Sequence, residues 1–118
     1  MSRVVHFEIV AKDAARAVDF YRDVFGWQVV EPEGDEQYWL FRTGGEGTEV
    51  DGGLMGPHFA QPVINTVEVE SIGAALESVA ANGGRVVLGP RLIPGVGNHV
   101  YCADPEGTLF GMLERLTV

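Results

Sequence analysis

The sequence predicts an α+β fold made of two tandem βαβββ modules, and three observations carry that prediction. The first is an internal repeat. His6-Phe7-Glu8-Ile9 leads to Asp13, a helical run ending at Phe25-Gly26, and then Val29-Val30. Ile64-Asn65-Thr66-Val67 leads to Ser71, a helical run ending at Gly83-Gly84, and then Val86-Val87. Asp13 and Ser71, Gly26 and Gly84, and Gly53 and Gly111 all stand 58 positions apart, which marks a duplicated supersecondary unit rather than a solenoid. The second observation is that each helical run carries its own start and stop signals. The third is that the remaining chain is cut by glycine and proline turns into short segments of strand character.

Taken in order, Val4 to Val10 alternates as a strand does. Asp13 is placed to cap a helix whose apolar stripe is Ala14, Ala17, Val18, Tyr21 and Phe25, and Gly26 ends it. Trp27 to Glu31 and Gln37 to Thr43 read as strands around a Pro32-Glu33-Gly34-Asp35 turn, and Glu49 to Met55 is a strand interrupted by glycines. The first module thus covers residues 1–56, and a proline-bounded linker covers 57–62. The second module, 63–118, opens with a strand from Val63 to Val69. Ser71 caps a helix with Ile72, Leu76, Val79 and Ala80 on its buried stripe, and Gly83-Gly84 stops it. Arg85 to Leu88 is a strand, Gly89-Pro90 a bend, and Val96 to Ala103 a strand after a Pro94-Gly95 turn. Asp104-Pro105-Glu106-Gly107 has turn residues at the favoured positions, and Thr108 to Glu114 closes the module.

Composition bounds the function. At 118 residues the chain is one domain by length, large enough for a core, and a homodimer is expected. The net charge of −9 argues against nucleic acid, whose phosphates need a basic surface. No apolar run is long enough for a membrane span and no leader pattern opens the chain, so a cytoplasmic protein is expected. Cys102 is the only cysteine, which excludes a disulfide framework and a cysteine metal cluster; it reads as a buried strand residue.

Several of these residues carry a resemblance. His6-Phe7-Glu8-Ile9, Asp13, Phe20-Tyr21, Phe25-Gly26-Trp27 and Asp104-Pro105-Glu106-Gly107 resemble the vicinal oxygen chelate superfamily of glyoxalase I, bleomycin-resistance proteins and extradiol dioxygenases, in its glyoxalase-like subgroup. The likeness covers essentially the whole chain. It implies that the two modules form a curled mixed-sheet cup. In metal-dependent members each module supplies two ligands, one from its first strand and one from its last. Carried over residue by residue, His6 stands at the first position, but Ile64, Gly53 and Gly111 stand at the other three. One imidazole falls short of the roughly three protein ligands that such sites use, so no cofactor is expected. A shifted divalent site from His6, Glu8, Asp51 and Glu68 is the alternative.

His6 and Glu8 share one face of the first strand by alternation. One reading makes them a polar pair in a ligand pocket, with Glu8 as base and His6 as acid or hydrogen-bond donor. The other pairs Glu8 with an arginine such as Arg42 and leaves His6 as a satisfied core side chain. Ile64, Thr66 and Glu68 share the corresponding parity in the second module. Gly53 and Gly111 read either as space kept open for a ligand or as bends in the sheet. Trp39 and Tyr101 are candidates to stack on a planar ligand. His58 is expected to be exposed, whereas His99 fits the cup or the surface equally well. The leading reading is a metal-independent small-molecule binder. The alternative is an isomerase, lyase or oxygenase-type enzyme acting on a small carbonyl or aromatic compound. A regulatory subunit without chemistry has no sequence feature in its favour.

Overall fold

The computed structural model describes residues 2–44 and 50–116. Its elements follow the predicted order. The first module holds β1 (Arg3–Val10), α1 (Ala14–Phe25), β2 (Gln28–Val30), β3 (Tyr38–Arg42) and β4 (Asp51–Met55). The second holds β5 (Val63–Glu68), α2 (Ile72–Ala81), β6 (Arg85–Ile93), β7 (Gly97–Ala103) and β8 (Leu109–Arg115). One compact unit spans Val5–Ile64; the other gathers the chain from Asn65 together with its first residues up to Val4. Among the described residues, no helix is long and apolar enough to cross a membrane.

Each module is a four-stranded mixed sheet with one helix on one face. In the first the strands run β2-β3-β4-β1, with β1 parallel to β4 and the other pairs antiparallel. In the second they run β5-β8-β7-β6, with β5 parallel to β8. The parallel pair in each module is the direct consequence of a helical crossover following the first strand.

The helix boundaries obey the capping residues. The Asp13 carboxylate accepts from Arg16 N–H at 3.2 Å, and Gly26 closes α1 in the left-handed conformation at φ 70°. Ser71 Oγ accepts from Ala74 N–H at 3.1 Å to start α2. Ala14 and Val18 of α1 pack on Phe41 and Leu54, with Phe7, Ile9, Trp27 and Trp39 around them. Ile72 of α2 packs on Val100, Cys102 and Met112. Two stripe positions differ from expectation. Phe25 is exposed and stacks on Tyr21 and Trp27 from outside, because it lies in the last turn beyond the sheet. Ala80 is exposed, and Ala75 instead joins Leu76 and Val79 against the core.

The other departure is in β6. Instead of ending at Leu88, the strand continues through the cis Gly89–Pro90 peptide to Ile93, with register shifts against β7 on either side of Leu88. A proline is tolerated there because β6 is an edge strand, where a missing N–H can face away from the sheet. Other strand ends shift by a residue or two, with β1 starting one residue earlier and β8 ending one residue later than expected. Glu49, the expected start of the fourth strand, lies outside the described residues.

Candidate functional site

Strand alternation sorts the side chains onto two faces. On β1, Phe7 and Ile9 face the helix-side core, so His6 and Glu8 project from the opposite face. On β3, Trp39 and Phe41 face the helix, which leaves Tyr38 on the side of Glu8. There the Tyr38 hydroxyl donates to Glu8 Oε2 at 2.6 Å, and His6 Nε2 lies 2.9 Å from the same hydroxyl. A phenol has one hydrogen; with that hydrogen directed at Glu8, the His6 contact is completed by a proton on Nε2. Glu8 is only 4% exposed, so the phenol holds a carboxylate that water barely reaches. Imidazole, phenol and carboxylate thus form one chain of hydrogen bonds.

Gly53 makes this arrangement fit. It pairs with Glu8 on one side and with Leu40 on the other. A Cβ on Gly53 would sit 2.5 Å from Tyr38 Cζ and would overlap the hydroxyl. The phenol therefore occupies the volume in which a side chain at 53 would lie.

The second module repeats the device with other chemistry. Thr66 and Tyr101 both pair with Gly111, as Glu8 and Leu40 pair with Gly53. His99 is opposite Leu113 as Tyr38 is opposite Met55, so His99 and Tyr38 are equivalent. They stand 61 positions apart rather than 58, because the chain from the helix-ending glycine (Gly26 or Gly84) to this third-strand position is three residues longer in the second module, where the second strand is extended. A Cβ on Gly111 would lie 2.6 Å from Thr66 Oγ1 and 2.7 Å from His99 Nε2. Thr66 is 1% and His99 8% exposed, and the His99 ring meets Tyr101 edge-on with centroids 4.5 Å apart. Thr66 Oγ1 is buried without a hydrogen-bond partner.

The other sequence candidates separate from these clusters. Trp39 is corrected from ligand stacking to the helix-side core, with its indole N–H donating to Glu31 at 3.1 Å. Asp51 accepts from the Thr43 N–H at 2.9 Å. Glu68 is ion-paired with Arg115. Ile64 is fully buried. Among the described residues, no three His, Cys, Asp or Glu side chains are gathered as a metal would need, so the shifted set is not assembled. Of that set, His6 and Glu8 do come together, bridged by Tyr38, a residue without an assigned role in the sequence. His58 is exposed, and His99 is buried rather than on the surface. Cys102 is fully buried, and burial pushes its thiol up, which keeps it protonated and unreactive. A groove of about 430 Å³ lies on the helix side of the second module, between α2 residues such as Ala75 and Val79 and the strand residues Phe110 and Met112. It is apart from the polar face of Thr66 and His99.

With the fold and both clusters described, the match to known proteins is decisive. The model of the Glyoxalase/Bleomycin resistance protein/Dioxygenase superfamily matches residues 3–112. The chain belongs to that superfamily. No curated protein matches it significantly. Among solved structures it is similar to methylmalonyl-CoA epimerase from Mycobacterium tuberculosis, at 18% identity and a TM-score of 0.72, covering 97% of this chain and 88% of that one. A Streptomyces coelicolor methylmalonyl-CoA epimerase variant in complex with 2-nitronate-propionyl-CoA gives 17% identity and a TM-score of 0.74, covering 98% and 96%. Homoprotocatechuate 2,3-dioxygenase from Brevibacterium fuscum gives 22% and 0.75, covering 98% of this chain but 37% of that one. At these identities the likeness establishes the fold alone.

The superfamily's metal-dependent members set a test for the residues present. Ile64 offers no donor atom and is sealed in the core. The volumes at Gly53 and Gly111 are taken by Tyr38 and by Thr66 with His99. His6 is the one donor at the four positions, and its Nε2 is engaged by the Tyr38 hydroxyl. The donor set does not fit the usual metal.

Proposed function

We propose that this superfamily member binds a small molecule without the usual metal site, using the face that carries His6, Tyr38 and Glu8. The observation that supports this reading is the filling of the last-strand ligand positions by hydrogen-bonding side chains of the third strand. A few convergent polar groups of this kind are the usual makeup of a ligand site. The protein works as a homodimer in this proposal. Val86, Val87, Leu88 and Leu92 on the edge strand β6 are all exposed, and a second copy is the occupant that would cover them. Elemental analysis after re-equilibration with Mn, Fe, Ni and Zn tests the metal-free reading. Retention of about one ion per chain would overturn it.

One observation favours a second reading, proton transfer. The carboxylate of Glu8, the phenol of Tyr38 and the imidazole of His6 are in hydrogen-bond sequence at 2.6 and 2.9 Å. In that reading Glu8 takes a proton from a substrate carbon and returns it in the product, while Tyr38 and His6 hold the carboxylate in place. Glu8→Gln separates the two. A binder keeps its affinity for a neutral ligand within a few-fold, whereas an enzyme loses turnover by about two orders of magnitude.

A further inference from the structure

The first module holds a pocket of about 550 Å³ that neither of these readings uses. It lies between the end of β1 and the chain that follows β4. Backbone bonds fix that chain. Ala11 N–H donates to Met55 O at 3.0 Å, Val10 N–H to Pro62 O at 2.8 Å, and His58 N–H to Gly56 O at 2.7 Å. Pro57 and Pro62 stiffen the segment further, since the ring of each locks its φ. The pocket therefore exists before a ligand arrives, and its volume is ordinary for a small-molecule site. Val10 and Phe59 contribute apolar wall. Of the residues that line it, Lys12 and His58 alone have polar side chains, and both are basic in a chain of net charge −9. Among the described residues neither is in an ion pair. Asp13, the acid next to Lys12 in the chain, caps α1 and is not part of the lining.

We infer that this pocket takes a small carboxylate with an apolar body. It is a second site, and the inference does not rest on the reading given for His6, Tyr38 and Glu8. Lys12 supplies a fixed positive charge and three N–H donors, and a histidine such as His58 carries a ring N–H in either protonation state. Together they supply charge-assisted donors for the two oxygens of one carboxylate. A monoanion suits the pocket better than a phosphate dianion. It holds one fixed charge, and it lacks the arginine fork that matches phosphate geometry. The apolar body follows from the wall at Val10 and Phe59, which a wholly polar anion would leave wet.

The test titrates hexanoate, hexanol, hexylamine and inorganic phosphate separately into the intact, isotope-labelled protein. The His58 imidazole and Val10 methyl resonances are followed by NMR. Hexanoate is expected to shift both saturably. Hexanol and phosphate should each bind at least about fivefold more weakly, since each lacks one half of what the pocket recognises. Hexylamine should not bind. Lys12→Ala should weaken hexanoate by about fivefold and leave hexanol unchanged, whereas Lys12→Arg should keep most of the affinity. Lys12 is exposed, so these variants leave the core untouched. The inference is overturned if hexanoate gives no saturable shift at His58 and Val10, if any other probe matches it, or if Lys12→Ala binds it like the wild type. Hexanoate shifts centred on His6 and Tyr38 instead would overturn it too, by placing the acid at the other site. The metal-free reading fails on a separate measurement, metal retention, so the two failures are told apart.

Discussion

Gly53→Ala is the most revealing single change in the first module. The added methyl would overlap the Tyr38 hydroxyl and lie 2.5 Å from Cζ and 2.7 Å from Cε1, well inside ordinary van der Waals contact. The phenol must move away by the better part of an ångström. Its bond to Glu8 starts at 2.6 Å, so a shift of that size carries it out of hydrogen-bonding range. Losing a hydrogen bond to a charged group costs about 1.5–3 kcal/mol. Alanine is better than glycine within a strand by about 0.5–1 kcal/mol, which offsets part of this. Gly53 has no positive φ, so its backbone accepts alanine without strain. The expected net loss is about 1–2 kcal/mol, or roughly 4–10 °C in Tm for a chain of this size. Urea and thermal unfolding of Gly53→Ala, Tyr38→Ala and the double variant check it. With the ring gone, Gly53→Ala should become neutral or stabilising. An equal loss in both backgrounds would falsify the assignment, because the cost would then have nothing to do with Tyr38.

Two further outcomes follow from the second module. Asp104 Oδ1 accepts from the N–H groups of Glu106 and Thr108 at 2.9 and 3.0 Å, so Asp104→Ala should cost about 1–2 kcal/mol in urea unfolding, whereas exposed Glu106→Ala should change little. Burial raises the Cys102 thiol, and a raised folded-state value favours the protonated form. Its contribution to stability is complete below the unfolded thiol value of about 8.5 and is lost as pH rises through the higher folded value. Stability should therefore fall more steeply between neutral and alkaline pH in the wild type than in Cys102→Ala. A matching slope in the two proteins would remove burial as the cause. The same thiol should resist alkylation until the protein unfolds.

Much of the fold was legible because its signals are local. Asp13, Ser71, Gly26 and Gly83 mark helix ends through their own side chains or backbone freedom, and a single sequence displays them. The turn at Asp104 is equally local. The continuation of β6 through Gly89–Pro90 was not legible, since only its place at the sheet edge makes the proline tolerable. The candidate site was half legible. Alternation placed His6 and Glu8 together and Thr66 with its strand face. The equivalence of Tyr38 and His99 is not legible, because the repeat's uniform shift of 58 breaks before the third strand. A three-residue difference before the third strand hides their equivalence. Allowing the shift to change at a turn would have aligned a tyrosine with a histidine, each two residues before a partner of the glycine. The helix-side place of Trp39 follows from its shared parity with Phe41, whose burial in the core only the fold reveals.

Both modules carry glycine where the resemblance places a last-strand ligand, and in both the space is filled, which makes a ligand there hard to introduce. A glycine alone would leave an empty position that one substitution could refill. Here third-strand side chains occupy the space, with Tyr38 over Gly53 and His99 beside Thr66 over Gly111. Each replacement group is tied to the first strand or buried against it. A glutamate introduced at either glycine must first displace these side chains, at an overpacking cost of about 1–3 kcal/mol. Even then Ile64 supplies no donor, so the position gains a carboxylate without gaining a site. Gly53→Glu and Gly111→Glu should therefore lower stability and bind no Mn, Ni or Zn in equilibrium dialysis. If either variant held one ion per chain at wild-type stability, the third-strand side chains would be loose fillers. Their placement could then no longer be read as an obstacle to a metal ligand at these positions.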